Sequence, residues 1–182
     1  MIKSAFLMLV TLFLANCGPA RYTVVQESNI QPKLAAPASI YVGWLGLDEQ
    51  RFKDYGYESV ADFKKVIQDV NVEMRRGITE TWPKKLVTFA QGPGEQPPAN
   101  VDLVILFENA AAENTAGGMS GHSGTMINAT VKFIDPKAQR EINTAQVTGS
   151  VRGLNGWAMM SLEGCLQQAA YNIALYVADK LN

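Results

Sequence analysis

The chain has 182 residues, of which 47% are hydrophobic and 18% charged, and its formal net charge is −1. That is enough apolar sequence for one globular domain with a real core and something attached to it. The balanced charge excludes a nucleic-acid binder, which needs a surplus of Lys and Arg on one face to neutralise phosphates. The doublets Arg75-Arg76 and Lys84-Lys85 read as the solvated side of a helix and its end.

Met1-Ile2-Lys3-Ser4 precede an uncharged apolar run from Ala5 to Ala15, followed by Asn16-Cys17-Gly18. A basic start and an apolar run of about 11 residues make a secretory signal, because a bilayer span needs about 20. Leu14-Ala15-Asn16-Cys17 resembles the lipobox of bacterial lipoproteins, with Asn16 where Gly, Ala or Ser is usual. The resemblance implies cleavage before Cys17 and acylation of its thiol and new amino group. In proteobacterial lipoproteins an Asp after the cysteine retains the protein in the inner membrane. Gly18 stands there in this chain, so the resemblance implies a lipid-anchored protein of the outer membrane that faces the periplasm. Three acyl chains would hold stably, each buried methylene contributing about 0.8 kcal/mol. The only other cysteine, Cys165, lies in an apolar helical pattern and is expected to be a small buried hydrophobe.

Residues 17–38 carry three prolines among small and polar residues and read as a lipidated N-terminus and flexible tether, within which Tyr22 to Val25 has the character of an edge strand. The domain is expected over 39–182. It opens with a β-rich run at 39–46, then a polar loop in which Tyr55 and Tyr57, flanked by Asp48, Glu49, Arg51 and Lys53, are candidate interface aromatics. Ser59 stands three residues before Asp62, a capping-box-like start. Phe63, Val66, Ile67, Val70, Met74, Ile78 and Trp82 then recur at helical spacing, predicting a helix that ends near Pro83. Residues 91–100, with two glycines and three prolines, form a surface loop.

The apolar run 101–108 predicts a central strand. Alternation at Ile127, Ala129, Val131 and Phe133, a turn at Asp135-Pro136-Lys137, and alternation at Ala145, Val147, Gly149 and Val151 predict an antiparallel pair. Leu162, Cys165, Leu166, Ala169, Ile173, Val177 and Leu181 mark a second long helix. The expected fold is α/β, a two-layer α+β arrangement: a β-α-β-β-β-α mixed sheet with both helices packed on one face, the first helix crossing over to the strand at 101–108. The outer face would carry Asn128, Thr130, Lys132, Thr144, Gln146 and Thr148. A neighbouring copy, or the tether at Tyr22 to Val25, could complete the sheet edge.

This order of elements together with the lipobox resembles the small periplasmic lipoproteins related to LpoB, PelC and the periplasmic domain of CsgG. It also resembles the N-terminal domain of TolB. The resemblance implies an assembly or regulatory factor of the cell envelope, often oligomeric, with no catalytic centre and no transferable site residue.

The glycine-rich segment 114–125 holds the remaining candidates, Gly117, Gly118, Met119, Ser120, Gly121, His122 and Ser123, read as a partner-contact loop between two strands. It lacks the Lys and the following helix of a phosphate-binding loop. Ser120, His122 and Ser123 are too poorly fixed among glycines for a hydrolytic triad. A lone His with no Cys pair does not make a zinc site, so no metal or cofactor is expected. Trp44 and Trp82 fall on core positions, and with Trp157 they read as packing rather than a stacking platform. The expected function is a non-enzymatic outer-membrane lipoprotein that scaffolds, assembles or regulates an envelope complex, binding an envelope protein or its own copies. The alternative is a periplasmic ligand-binding module for a small anion or glycan at the glycine-rich loop; a hydrolase using Ser and His of that loop comes third.

Overall fold

A computed structural model describes residues 22–28, 37–83, 85–115, 124–152 and 162–181. Six strands, β1 (Tyr22–Ser28), β2 (Ser39–Val42), β3 (Leu86–Phe89), β4 (Leu103–Thr115), β5 (Gly124–Asp135) and β6 (Arg140–Arg152), form one mixed sheet. Their spatial order is β1-β6-β5-β4-β2-β3. Two long helices, α1 (Val60–Thr81) and α2 (Leu162–Lys180), pack together on one face. No helix among the described residues is long and apolar enough to cross a membrane.

Helix α1 begins where its sequence dictates. Ser59 Oγ accepts from the Asp62 N–H at 3.1 Å and its hydroxyl donates to the Asp62 carboxylate at 2.7 Å. Phe63, Val66, Ile67, Val70, Met74 and Ile78 are all buried, as the periodicity requires. Helix α2 buries more than its expected stripe: Ala170, Asn172, Ala174, Tyr176 and Ala178 are also covered, because it lies against β5, β6 and α1 at once. Cys165 is half-buried with a free thiol rather than fully buried.

The first strand is shorter than the run 39–46 suggests. Gly43 still donates to the Ile105 carbonyl at 2.8 Å, and beyond it the Asn71 side chain takes over Leu45, accepting from its N–H at 2.9 Å and donating to its carbonyl at 3.0 Å. The crossover through α1 leads to β3, not to the strand at 101–108. Strand β3 pairs parallel with β2 on one side while β4 pairs parallel with β2 on the other. Residues 90–102 must therefore cross back over β2. This crossing segment roofs a small second core on the outer face, where Tyr41, Ala90, Val101 and Val104 are buried and the Tyr41 hydroxyl donates to the Glu95 carbonyl at 3.0 Å. The start of β2 is tied at the same end by Asp102, which accepts from Lys137 and from Ser39. Those bonds, the Lys137 one foremost, hold its carboxyl down at about 2.

Residues 22–28, inside the segment read as a tether, form the edge strand expected at Tyr22 to Val25 and carry it three residues further. Tyr22 lies opposite Gly149 and Ser28 opposite Thr144, so the chain completes the edge of β6 itself. The reason is side-chain chemistry rather than apolar burial, since Val25 is 66% exposed while Glu27 and Tyr22 reach α2.

Candidate functional site

At the carboxyl ends of β2 and β3, where ligand crevices form in parallel α/β sheets, two adjoining clefts of about 390 and 330 Å³ share Trp44, Gly46 and Pro93. Trp44 is half-buried and packs against both cores, standing where they meet. Gly43 passes over β4 so closely that a Cβ there would lie 3.0 Å from Leu106 Cδ2 and 3.2 Å from the Ile105 carbonyl oxygen. The crevice floor is the bulge of β4, where Asn109 adopts a left-handed backbone with φ of 51°. Asn tolerates that region better than other non-glycine residues.

The walls are held by polar clamps. The Asn71 amide fixes the 43–47 loop to α1, bonding also to the Ile67 carbonyl at 2.8 Å. Arg75 donates to the Ala90 carbonyl at 2.5 Å and lies 5.8 Å from the Phe89 ring centroid, pinning the start of the crossing loop. Of the charged lining, Glu49 pairs with Lys64 at 3.2 Å and Glu108 with Lys132 at 2.8 Å, while Asp48 accepts from the Gln50 N–H at 3.0 Å and Glu95 from the Gln91 N–H at 2.6 Å. The Glu108 hydrogen bond pushes the Lys132 ammonium up from its ordinary value. Apart from those charges the walls offer an indole, prolines, Gln68 and Asn109. Such a wall can hold a small polar ligand by a ring face and amides, but its residues supply no hydroxyl, thiol or imidazole for nucleophilic attack. Among the described residues no three His, Cys, Asp or Glu side chains gather around a point that could hold a metal.

The sequence-predicted residues divide sharply. Cys17, the segment Gly117 to Ser123 and Trp157 lie outside the described residues. Tyr55 is buried in the main core rather than exposed in a loop. Residues 49–55 form a 3-10 helix capped by Asp48, which turns this ring inward to stack on Phe63 at 5.3 Å, and its hydroxyl donates to the Ala112 carbonyl. Burial raises its pKa. Tyr57 is half-buried against the same Phe63, at 5.2 Å. On the outer face Asn128 donates to Glu113 at 3.0 Å and accepts from Thr148 at 2.6 Å, so the expected polar ladder is internally bonded. The crevice itself was not anticipated. Its one sequence signal is an aromatic two residues beyond a short buried strand, at Trp44.

No family model and no curated relative matches the chain. Among solved structures it is similar to two structures of the PelC dodecamer from Paraburkholderia phytofirmans, one of them a point variant. Each is 16% identical over 88% of this chain, with a TM-score of 0.44, covering 98% and 99% of the PelC chains. It is also similar to a Helicobacter pylori protein described as a homologue of a neuraminyllactose-binding hemagglutinin, at 11% identity over 83% of this chain and 89% of that one, with a TM-score of 0.40.

Proposed function

We propose that this chain is a non-enzymatic lipoprotein of the outer membrane, acylated at Cys17 and facing the periplasm, whose α/β domain scaffolds or regulates an envelope complex. Its partner is an envelope protein or further copies of itself. The observation that carries this reading is the placement of β1. By the fifth residue after the candidate lipidation site the chain is paired to the sheet edge, which would join an anchor there closely to the domain. Strand β1 and the short strand β3, whose Leu86 is 68% exposed, are the sheet edges, and edges are where protein partners add. A second reading, a ligand-binding module, is favoured by the Trp44 crevice rather than by the glycine-rich loop.

Complementation of a deletion strain separates binding from catalysis. His122→Ala and Ser123→Ala should leave function nearly intact, while shortening the glycine-rich segment between β4 and β5 weakens recovery of the crosslinked envelope complex. Loss of function from either single side chain with the complex preserved would replace this reading with a hydrolase.

A further inference from the structure

Resting on the anchoring proposed above, we infer that β1 is a strap that holds one end of the sheet against the bilayer surface at a short, fixed distance. The strand registers define that end. Tyr22 stands level with Gly149 of β6, Ile127 of β5 and Ala112 of β4, close to the end of the sheet at which β4 and β6 finish and β5 begins. From Cys17 to Tyr22 is five residue steps, so an acylated cysteine and Tyr22 can be at most about 18 Å apart. Were β1 undocked, the first residue fixed in the sheet would be Ser39, and the reach would grow to about 75 Å. Docking of one seven-residue strand therefore shortens the reach about fourfold.

The fastening is specific and polar. Glu27 Oε1 takes Lys180 Nζ at 2.6 Å, Asn143 Nδ2 at 2.6 Å and the Tyr176 hydroxyl at 3.3 Å, with the ion pair only 13% and 14% exposed. At the other end of the strand the Tyr22 hydroxyl donates to Asp179 at 2.8 Å and its ring meets Tyr176 edge-on at 5.5 Å. These partners belong to β6 and to the last turns of α2, so both layers of the domain grip the strap. A strand serving only to shield an edge would need no such network, and β1 buries little apolar surface, with Val24 and Val25 exposed. The bilayer is the occupant that the chain length selects, because the lipid is covalently a few residues away.

The test uses the full lipidated protein in phosphatidylethanolamine and phosphatidylglycerol vesicles that carry a nitroxide on the headgroup, which quenches at short range. In a Cys165→Ser background a bimane is placed at Glu113→Cys, near the strap's membrane end, or at Ala138→Cys, in the turn after β5. These positions are separated by about 30 Å along the strands. Strong quenching at 113 and weak quenching at 138 is expected. Inserting about twenty Gly and Ser residues between Gly18 and Pro19, which leaves the domain untouched, should abolish the contrast. Glu27→Gln should reduce it. Equal quenching at both positions without the spacer, or a contrast that survives the spacer, overturns the strap. Mass analysis of the same sample distinguishes the two levels of failure: an unacylated Cys17 removes the anchoring reading and the strap with it, whereas an acylated Cys17 with equal quenching removes the strap alone.

Discussion

Gly149→Ala probes the seam on which the two-layer arrangement depends. An added Cβ would lie 2.1 Å from the Ala169 carbonyl oxygen, 3.0 Å from its carbonyl carbon and 2.9 Å from Ile173 Cγ1. The first two are backbone atoms of α2 and cannot rotate away, so the helix would have to retreat from β6 by about 1 Å. A gap of that size forfeits a quarter to a half of the dispersion attraction of each contact it opens. The contacts affected are those of Leu166, Ala169, Ile173 and Val177, all buried in the main core. Overpacking of this kind typically costs 1–3 kcal/mol, and rigid obstruction places this case near the top, about 3 kcal/mol. For a chain of this size that lowers Tm by roughly 6–12 °C in a circular-dichroism melt. Gly92→Ala, whose Cβ would meet open space, is the control and should move stability by less than about 0.5 kcal/mol. A Gly149→Ala melt that superimposes on wild type would refute the seating of α2 on β6.

Asn71→Ala strands the buried Leu45 N–H and carbonyl, and should cost about 2–4 kcal/mol in urea unfolding; a loss below about 0.5 would mean the 43–47 loop is held some other way. The Glu27 clasp should be acid-sensitive. Burial alone would raise its carboxyl, but the bonds from Lys180, Asn143 and Tyr176 outweigh that, so its folded pKa lies below the ordinary 4.5. A depressed carboxylate contributes stability above its unfolded pKa and loses it as pH falls through the folded one. Hydrogen-exchange protection of β1 should therefore hold at neutral pH and fall below about pH 4.5 in wild type, and Glu27→Gln should remove that dependence. Protection that is pH-independent in wild type would discount the clasp.

Where structure repeats at a fixed period, it is legible in the residues. Ser59 and the stripe from Phe63 to Ile78 announce α1, and alternation from Ile127 to Phe133 and from Ala145 to Val151 announces the β5 and β6 pair. Small residues hide the rest of the α2 face: Ala170, Ala174 and Ala178 carry little hydropathic signal, yet let α1 approach, with Gly77 against Ala174. Strand β3 is four residues long with Leu86 exposed, so neither length nor alternation marks it. Tyr55 sits in a run of charged residues that conceals its inward turn. The crevice is a product of topology, since only the return of residues 90–102 across β2 brings Pro93 to Trp44 and Asn109. Likewise nothing local in Glu27 or Lys180 foretells their pairing across most of the chain.

The membrane role of the domain stands or falls on the chemistry of one residue. Intact-mass spectrometry of the wild-type protein extracted from membranes should give a polypeptide that starts at Cys17 and carries an acyl increment, while Cys17→Ser should yield a folded domain that is soluble or retained as precursor. An N-terminus elsewhere, with an unmodified Cys17 thiol, would contradict the account.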